Sequence, residues 1–165
     1  SRPADDMGVQ GMCGLMSLTV HEGGPPTRVG TAIGDITAGL FTAIGVNAAL
    51  FDRTKSGVGQ FIDVAMLDCQ IAILENAIAR YFATGSSPGP SAARHPSIAP
   101  FECYKSKDGH ILIAAGNNQL FTSLCIAINN RDLINDKRFS SNPNRMKNVE
   151  DLNIKLINMR QLIKK

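Results

Sequence analysis

The spacing of hydrophobic residues in the first half of the chain predicts a long helix. Ile36, Leu40 and Ile44 recur every four residues, which places them on one helical face. A second face of the same segment carries small side chains, namely Ala38, Thr42, Gly45 and Ala49. Small side chains allow another backbone to approach closely. We therefore expect a helix over residues 36–51 that is buried on two sides.

A strand and a second helix are predicted to follow. Residues 60–67 (QFIDVAML) form a short, largely apolar run, which is typical of a strand covered on both faces. The next helix is predicted over 68–83, with Gly85 placed to end it. The order helix, strand, helix indicates an α/β fold with a parallel sheet and crossover helices.

The pattern changes after a proline-rich stretch at residues 85–99, which predicts an extended linker. Residues 101–105 and 110–115 flank Asp108-Gly109, a signal for a β-hairpin. Asn117 or Asn118 is expected to cap a helix that runs to about Ile128. A last helix is predicted after Asn148, with an apolar stripe of Val149, Leu152, Leu156, Met159 and Ile163. We thus divide the chain into a large domain (1–84), the linker (85–99) and a smaller α+β domain (100–165).

Composition narrows the classes of function. The 165 residues are 44% hydrophobic and 19% charged, which is enough apolar material for a core. The run of 18 apolar residues expected of a membrane span is absent, so we expect no membrane partner. The four cysteines are far apart in sequence and lack a metal-binding spacing. We therefore expect no metal site and a reducing cytoplasmic location, or a mitochondrial one in a eukaryote.

The net charge of +3 comes from the last part of the chain. Residues 131–165 hold nine lysines and arginines against four acidic residues, and Phe139 is the one aromatic residue among them. Nucleic-acid binding favours interleaved basic and aromatic residues. We interpret this charge as a solvated helical face and expect no nucleic-acid partner.

Asp35 is the candidate catalytic residue. It follows Gly34, where a Gly/Pro-rich stretch gives way to the predicted long helix. A carboxylate at a helix N-terminus receives unpaired N–H groups and the positive end of the helix dipole. Both effects favour the ionised form that a carboxylate nucleophile needs. The alternative is that Asp35 is simply the helix N-cap.

Three further features are candidate sites. His95 lies in the predicted linker, where it could be a ligand contact or an acid/base group. The alternative is that it is an ordinary exposed loop histidine. Asp5 and Asp6 form an acidic pair that is more typical of a solvated turn than of a catalytic dyad. The Gly116-Asn117-Asn118 turn could present N–H groups to an anion, and a left-handed turn explains it equally well.

The residue pattern resembles the class III CoA-transferases, also called the CaiB/BaiF family. The resemblance extends in order along the whole chain, through the segments Arg2-Pro3, Gln10, Gly14-Leu15-Met16-Ser17, Gly24-Pro25-Pro26-Thr27-Arg28-Val29-Gly30, Gly34-Asp35, Ala38-Gly39-Leu40, Gly57-Val58-Gly59-Gln60, Asp63-Val64, Leu67-Asp68, Arg94-His95-Pro96, Ile98-Ala99-Pro100-Phe101, Lys107-Asp108-Gly109 and Gly116-Asn117-Asn118. The family includes formyl-CoA, carnitine and succinyl-CoA:dicarboxylate CoA-transferases, together with α-methylacyl-CoA racemases. Its members are much longer, so the resemblance implies a central piece.

The resemblance implies a covalent mechanism without metal or redox cofactor, in which coenzyme A enters as the thioester substrate. In the family, the aspartate that matches Asp35 attacks an acyl-CoA and becomes an aspartyl-CoA thioester. Racemases carry a histidine where this chain has Asp5 and a glutamate near Asn118, so a transferase is implied rather than a racemase. Many transferases carry a tyrosine at the position of Asp5, and a carboxylate there could repel an anionic acid. A racemase-like isomerase and a non-catalytic fragment are the alternatives.

The resemblance also implies a fold, partners and binding residues. It implies a Rossmann-like large domain, an interlocked homodimer in the full-length protein, and substrates that are an acyl-CoA and a small carboxylic acid, with succinyl-CoA and dicarboxylic acids favoured. The expected substrate-binding residues are Asp5, Arg28, His95, Gly116, Asn117 and Asn118. For Arg28, stabilisation of its Gly/Pro loop is the alternative.

Overall fold

A computed structural model describes residues 3–106 and 108–157 of the chain. The chain forms two compact units, Ser1–Ala92 and Ala93–Lys165. The division falls inside the predicted linker 85–99. His95 and Ala99, which belong to that predicted linker, hydrogen-bond within the second unit, to Phe101 and Asn142.

The first unit consists of helices in the part of the chain that the structure describes. In order they are α1 (Asp6–Met12), α2 (Leu15–Leu18), α3 (Ile33–Ser56), α4 (Met66–Ile73) and α5 (Glu75–Thr84). The long helix α3 packs against α1 and α4. The helix predicted over 36–51 is therefore confirmed, and it is longer than predicted at both ends.

The expectation that α3 is buried on two sides is wrong for the chain described here. Only Gly34 and Thr37 of this helix are buried, and the predicted apolar face is open to solvent, with Leu40 59% and Ile44 63% exposed. The reason is that α1 and α4 cover only part of its surface. By length and composition alone α3 could cross a membrane, a criterion that core helices of soluble proteins also meet, so the absence of a membrane partner stays a prediction.

The strand predicted over residues 60–67 is not formed. Residues 57–65 are irregular, and α4 already begins at Met66. Ile62 and Val64 are half-buried whereas Phe61 is 94% exposed, so burial alternates along the segment as in a strand. A strand also needs a neighbouring strand to receive its backbone hydrogen bonds, and the described part of the first unit contains no strand.

The helix predicted over 68–83 is two helices. Leu74 ends α4 and starts α5, and its N–H bonds to the carbonyl of Ile71 rather than continuing the helical ladder. Gly85 ends α5 in the left-handed conformation with φ of 70°, as predicted.

The second unit is built on a β-hairpin and short helices. Its strands are β1 (Phe101–Lys105) and β2 (His110–Ala114), which pair antiparallel with Cys103 opposite Leu112. The remaining elements are α6 (Asn118–Ala127), α7 (Asp132–Asn135), a 3-10 turn (Lys137–Phe139), α8 (Asn142–Lys147) and α9 (Val149–Ile157). The predicted hairpin is confirmed, and so is the cap of α6, where Asn117 Oδ1 accepts the Leu120 N–H at 2.8 Å. The α+β prediction for this part of the chain therefore holds.

The core of the second unit lies between the hairpin and the helices. Leu152 and Leu156 of the predicted stripe on α9 are buried in it, whereas Met159 and Ile163 lie outside the described residues. Two polar side chains of this core are paired: the Tyr104 hydroxyl donates to Asn153 Oδ1 at 2.8 Å, and Asn153 Nδ2 donates to Glu102. The parallel sheet predicted from the sequence is not among the described residues, where the hairpin is the one sheet.

Candidate active site

Asp35 lies in the first turn of α3, as its third residue, and its side chain is exposed. The alternative that it is the N-cap is wrong, because the cap position belongs to Ala32. Within residues 3–106 and 108–157, the Asp35 carboxylate makes no hydrogen bond or ion pair. The carboxylate is thus near the positive end of the α3 dipole, open to solvent and not engaged in capping.

The cap of α3 is supplied by Asp6 instead. The N–H of Gly34 donates to Asp6 Oδ1 at 2.7 Å, so a carboxylate on α1 satisfies one of the unpaired donors at the start of α3. Sequence reasoning treated Asp5-Asp6 as a solvated turn and missed this role. The two partners are 28 residues apart, and local pattern rules pair a cap only with the next few residues.

Gln10 holds this arrangement together. It is fully buried, its Nε2 donates to Asp6 Oδ2 at 2.9 Å and to the Thr31 carbonyl at 3.4 Å, and its Oε1 accepts the Val29 N–H at 2.9 Å. Gln10 therefore ties the segment that enters α3 to α1. The consequence is that the first turn of α3, and with it the backbone of Asp35, is held by a buried network rather than by a free loop.

Asp5 and Arg28 lie in the same unit. Asp5 is the N-cap of α1, where its Oδ1 accepts the Gly8 N–H at 2.7 Å. Arg28 is exposed, and its one side-chain hydrogen bond in the described chain is a long contact of 3.4 Å to the carbonyl of Val29. Arg28 has no carboxylate partner among those residues, so its charge is available to an anion. Substrate contact by either residue stays a prediction.

His95 lies in the second unit and is half-buried. Its ring is tilted against that of Phe101, with 5.2 Å between centroids. Nδ1 lies 3.2 Å from the backbone N–H of Ser97, which donates to it. A neutral ring that accepts at Nδ1 carries its proton on Nε2, so His95 offers a donor from its other nitrogen.

The Gly116-Asn117-Asn118 segment is not a left-handed turn, because none of the three residues has a positive φ. Gly116 is required by packing: a Cβ there would lie 2.9 Å from Cγ2 of Ile98. Asn117 caps α6, and Asn118 Oδ1 accepts a hydrogen bond from Nη1 of Arg145 at 3.0 Å. Presentation of N–H groups to an anion by this segment stays a prediction.

Arg145 is the residue of this region that sequence reasoning missed. The charge pattern of residues 131–165 predicts a solvated face, but Arg145 is fully buried on α8. Its Nε donates to the Ala99 carbonyl at 2.7 Å, its Nη1 to the Phe139 carbonyl at 3.0 Å, and its guanidinium lies 4.6 Å above the ring of Phe121. Burial lowers the pKa of Arg145, and burial raises the pKa of the nearby Cys125 thiol to about 11, with the Arg145 charge opposing that rise.

A cavity of about 310 Å³ opens in the first unit between α2 and α5. Its lining includes the Cys13, Ser17, Ile78 and Tyr81 side chains, with more apolar than polar surface. The predicted site residues of this unit are not among the residues that line it.

Comparison with known proteins identifies relatives along the whole chain. The model of the family described as CoA-transferase family III matches residues 1–162. An acetyl-CoA:oxalate CoA-transferase of Acetobacter aceti is 41% identical over 151 residues, which are 91% of this chain and 39% of the relative. The human succinyl-CoA:glutarate CoA-transferase is 34% identical over 159 residues, which are 96% of this chain and 36% of that protein. The chain thus spans well under half the length of these curated relatives.

Solved structures agree with these sequence matches. A CaiB/BaiF family protein from Brucella suis is 36% identical with a TM-score of 0.80, and the match covers 99% of this chain and 43% of that one. A hypothetical protein from Mycobacterium tuberculosis is 25% identical with a TM-score of 0.85, again over 99% of this chain and 43% of that one.

Proposed function

The chain belongs to CoA-transferase family III, and we propose that the protein moves CoA from an acyl-CoA donor to a carboxylic acid with Asp35 as the covalent nucleophile. The observation that carries this proposal is the state of the Asp35 carboxylate. It is exposed at the start of α3 and has no partner among the described residues, while the Gly34 N–H at this helix start donates to Asp6. A nucleophile needs a free lone pair and an accessible position, and the exposed, unpaired Asp35 carboxylate supports this role.

In each proposed step, the bond that forms is matched by a bond that breaks. An Asp35 oxygen attacks the thioester carbonyl, the C–S bond breaks, and a mixed anhydride forms as CoA thiolate leaves. The thiolate attacks the aspartyl carbonyl, which releases the first carboxylate and forms an aspartyl-CoA thioester. The acceptor carboxylate attacks that carbonyl, and the released thiolate then attacks the acceptor's carbonyl in the new anhydride. The new acyl-CoA leaves, and the Asp35 carboxylate is restored.

Dicarboxylic acids are the acceptor class that we propose, with succinyl-CoA as a candidate donor. Relatives are named for oxalate, mesaconate and glutarate, all of which carry two carboxylates. The exposed guanidinium of Arg28 supports an anionic substrate, because it has no carboxylate partner in the described chain.

The mechanism is tested by trapping the intermediate on the complete gene product. The protein is incubated with succinyl-CoA, treated with hydroxylamine or borohydride, and mapped by peptide mass spectrometry. We expect the adduct on Asp35 and its loss in Asp35→Asn. Asp68→Asn is the matched control, because Asp68 is the exposed third residue of α4 just as Asp35 is of α3. An adduct on another residue, or full turnover by Asp35→Asn, would contradict the proposal.

The alternative activity is a racemase-like isomerisation. An isomerase would exchange the α-proton of an acyl-CoA with deuterated water and would leave CoA on the same acid. We propose the transferase because Asp5, at the position where the racemases carry histidine, holds its carboxylate against the Gly8 N–H as a helix cap. Proton exchange without CoA transfer would favour the alternative.

We further propose that the full-length protein is an interlocked homodimer with a Rossmann-like large domain, located in the cytoplasm. The exposed apolar face of α3 supports the first point, because such a face favours coverage by more protein. The alternating burial of residues 61–65 supports the second, since this segment would join a sheet once a neighbouring strand is available. Analytical ultracentrifugation tests the dimer, and a monomer at micromolar concentration would contradict it.

A further inference from the structure

Arg145 is a buried cation without a buried anion to match it. The side chain is fully buried on α8, and within residues 3–106 and 108–157 no carboxylate pairs with it. Its Nη2 has no hydrogen-bond partner there either. Desolvating a charge without an ion pair is costly, so the residue must be held by strong neutral contacts.

Those contacts hold the guanidinium at a defined point. The Ala99 carbonyl accepts from Nε and the Phe139 carbonyl accepts from Nη1, at 2.7 Å and 3.0 Å. The ring of Phe121 lies against its face at 4.6 Å, a cation–π distance. Because two backbone segments and one ring fix it, Arg145 serves as a rigid donor for whatever lies next to it.

The next group is the side chain of Asn118. A guanidinium has only donors, so the Asn118 atom 3.0 Å from Nη1 must be the carbonyl oxygen of the carboxamide. This removes the usual ambiguity between oxygen and nitrogen in an asparagine side chain. The NH₂ end is therefore directed away from Arg145. Asn118 is exposed, and its Nδ2 has no partner in the described chain.

We propose that Arg145 is a positioning residue that orients Asn118, so that the Asn118 NH₂ group donates a hydrogen bond to a substrate oxygen. Either substrate of the proposed function, on which this inference rests, supplies such an oxygen: the carboxylate of the acid or the carbonyl of the acyl-CoA. In either case the group recognised is an oxygen acceptor, because the carboxamide offers only donors on its open side.

Asn118→Asp separates this role from a purely structural one. Aspartate keeps an oxygen toward Arg145 and converts the contact into an ion pair, so the melting temperature should not fall. The same change replaces the outward donor with an anionic acceptor. We expect the KM for one substrate to rise by about ten- to a hundredfold, since a hydrogen bond to a charged or polarised oxygen is lost. Asn135→Asp, an exposed asparagine at the end of α7, is the matched control for added charge.

The two substrates are distinguished by steady-state kinetics on the complete gene product. A rise in KM confined to the acid assigns the Asn118 contact to the acceptor carboxylate, and one confined to the acyl-CoA assigns it to the thioester. Unchanged KM values for both, with normal CoA transfer, would overturn the inference and leave the proposed function intact. If the wild-type protein transfers no CoA, calorimetric titration with each substrate replaces the KM measurement. If neither substrate binds, both this inference and the proposed function are overturned.

Arg145→Lys completes a double-mutant cycle with Asn118→Asp. Lysine keeps the charge but is a point donor that cannot reach two carbonyls and Asn118 together, so the Asn118 carboxamide is free to rotate. We expect Arg145→Lys to raise the same KM, and the double variant to show no larger rise than Asn118→Asp alone. If the KM increases of the two single variants multiply in the double variant, Arg145 acts independently of Asn118. If Arg145→Lys does not fold, the KM and melting temperature of Asn118→Asp decide the proposal.

Discussion

The close approach of α1 to the start of α3 gives a prediction whose size can be worked out from distances. A Cβ added at Gly34 would lie 2.8 Å from Cγ2 of Val9 and 3.0 Å from Oδ1 of Asp6. Favourable contacts between carbon atoms lie at about 3.5–4.0 Å, so Gly34→Ala requires α1 and α3 to separate by roughly 0.7–1.2 Å. Val9 is 2% exposed and cannot rotate into solvent.

The expected cost follows from that displacement. Overpacking of this kind destabilises by about 1–3 kcal/mol, and the Gly34–Asp6 hydrogen bond of 2.7 Å is stretched as α1 moves. Gly39→Ala is the matched control on the same helix, because its Cβ would meet nothing within 4 Å. There the gain in helix propensity should stabilise by up to about 1 kcal/mol. The two variants should therefore differ by roughly 2–4 kcal/mol.

Hydrogen–deuterium exchange of the α1 and α3 amides measures this difference, because exchange through local opening reports the local free energy. Faster exchange in both helices is expected for Gly34→Ala, and unchanged or slower exchange for Gly39→Ala. Equal protection in the two variants would show that the α1–α3 contact does not constrain Gly34 and would refute the reasoning.

Two further predictions concern the core of the second unit. The pKa of Cys125 is about 11 when folded and 9.0 as the ordinary value, so the unfolded state loses this proton first. The free energy of unfolding should therefore fall between pH 9 and 11, by about 2–3 kcal/mol relative to Cys125→Ala, with no contribution below pH 9. Urea titrations at several pH values measure how the free energy of unfolding depends on pH. The same pH dependence in the wild-type protein and in Cys125→Ala would contradict the assignment. Tyr104→Phe should lower the free energy of unfolding by about 1–3 kcal/mol, because Asn153 Oδ1 loses its buried donor. Tyr81 is exposed, and Tyr81→Phe should change this free energy by less than about 0.5 kcal/mol. Equal melting temperatures for the two variants would count against the Tyr104–Asn153 hydrogen bond.

Elements whose signals are local can be predicted from the amino-acid pattern alone. The ends of α5 and α6 depend on Gly85 and Asn117, which act on backbone groups within a few residues of themselves. The hairpin depends on the turn between residues 105 and 110, and the resemblance that led to the family was carried by short motifs in order. Such features need no knowledge of distant neighbours.

Which polar side chains are free and which are hydrogen-bonded depends on packing between distant segments, and local patterns do not reveal it. Asp6 caps a helix 28 residues away, whereas Asp35 in the first turn of that helix makes no hydrogen bond in the described chain; Arg145 donates to the Asn118 side chain 27 residues away. In the same way, residues 57–65 form no strand because the described part of the chain offers no strand that pairs with them, whatever their own preference. Hydrogen-bond partners in a folded chain are chosen by proximity in space, and the sequence expresses that proximity only after the chain has packed.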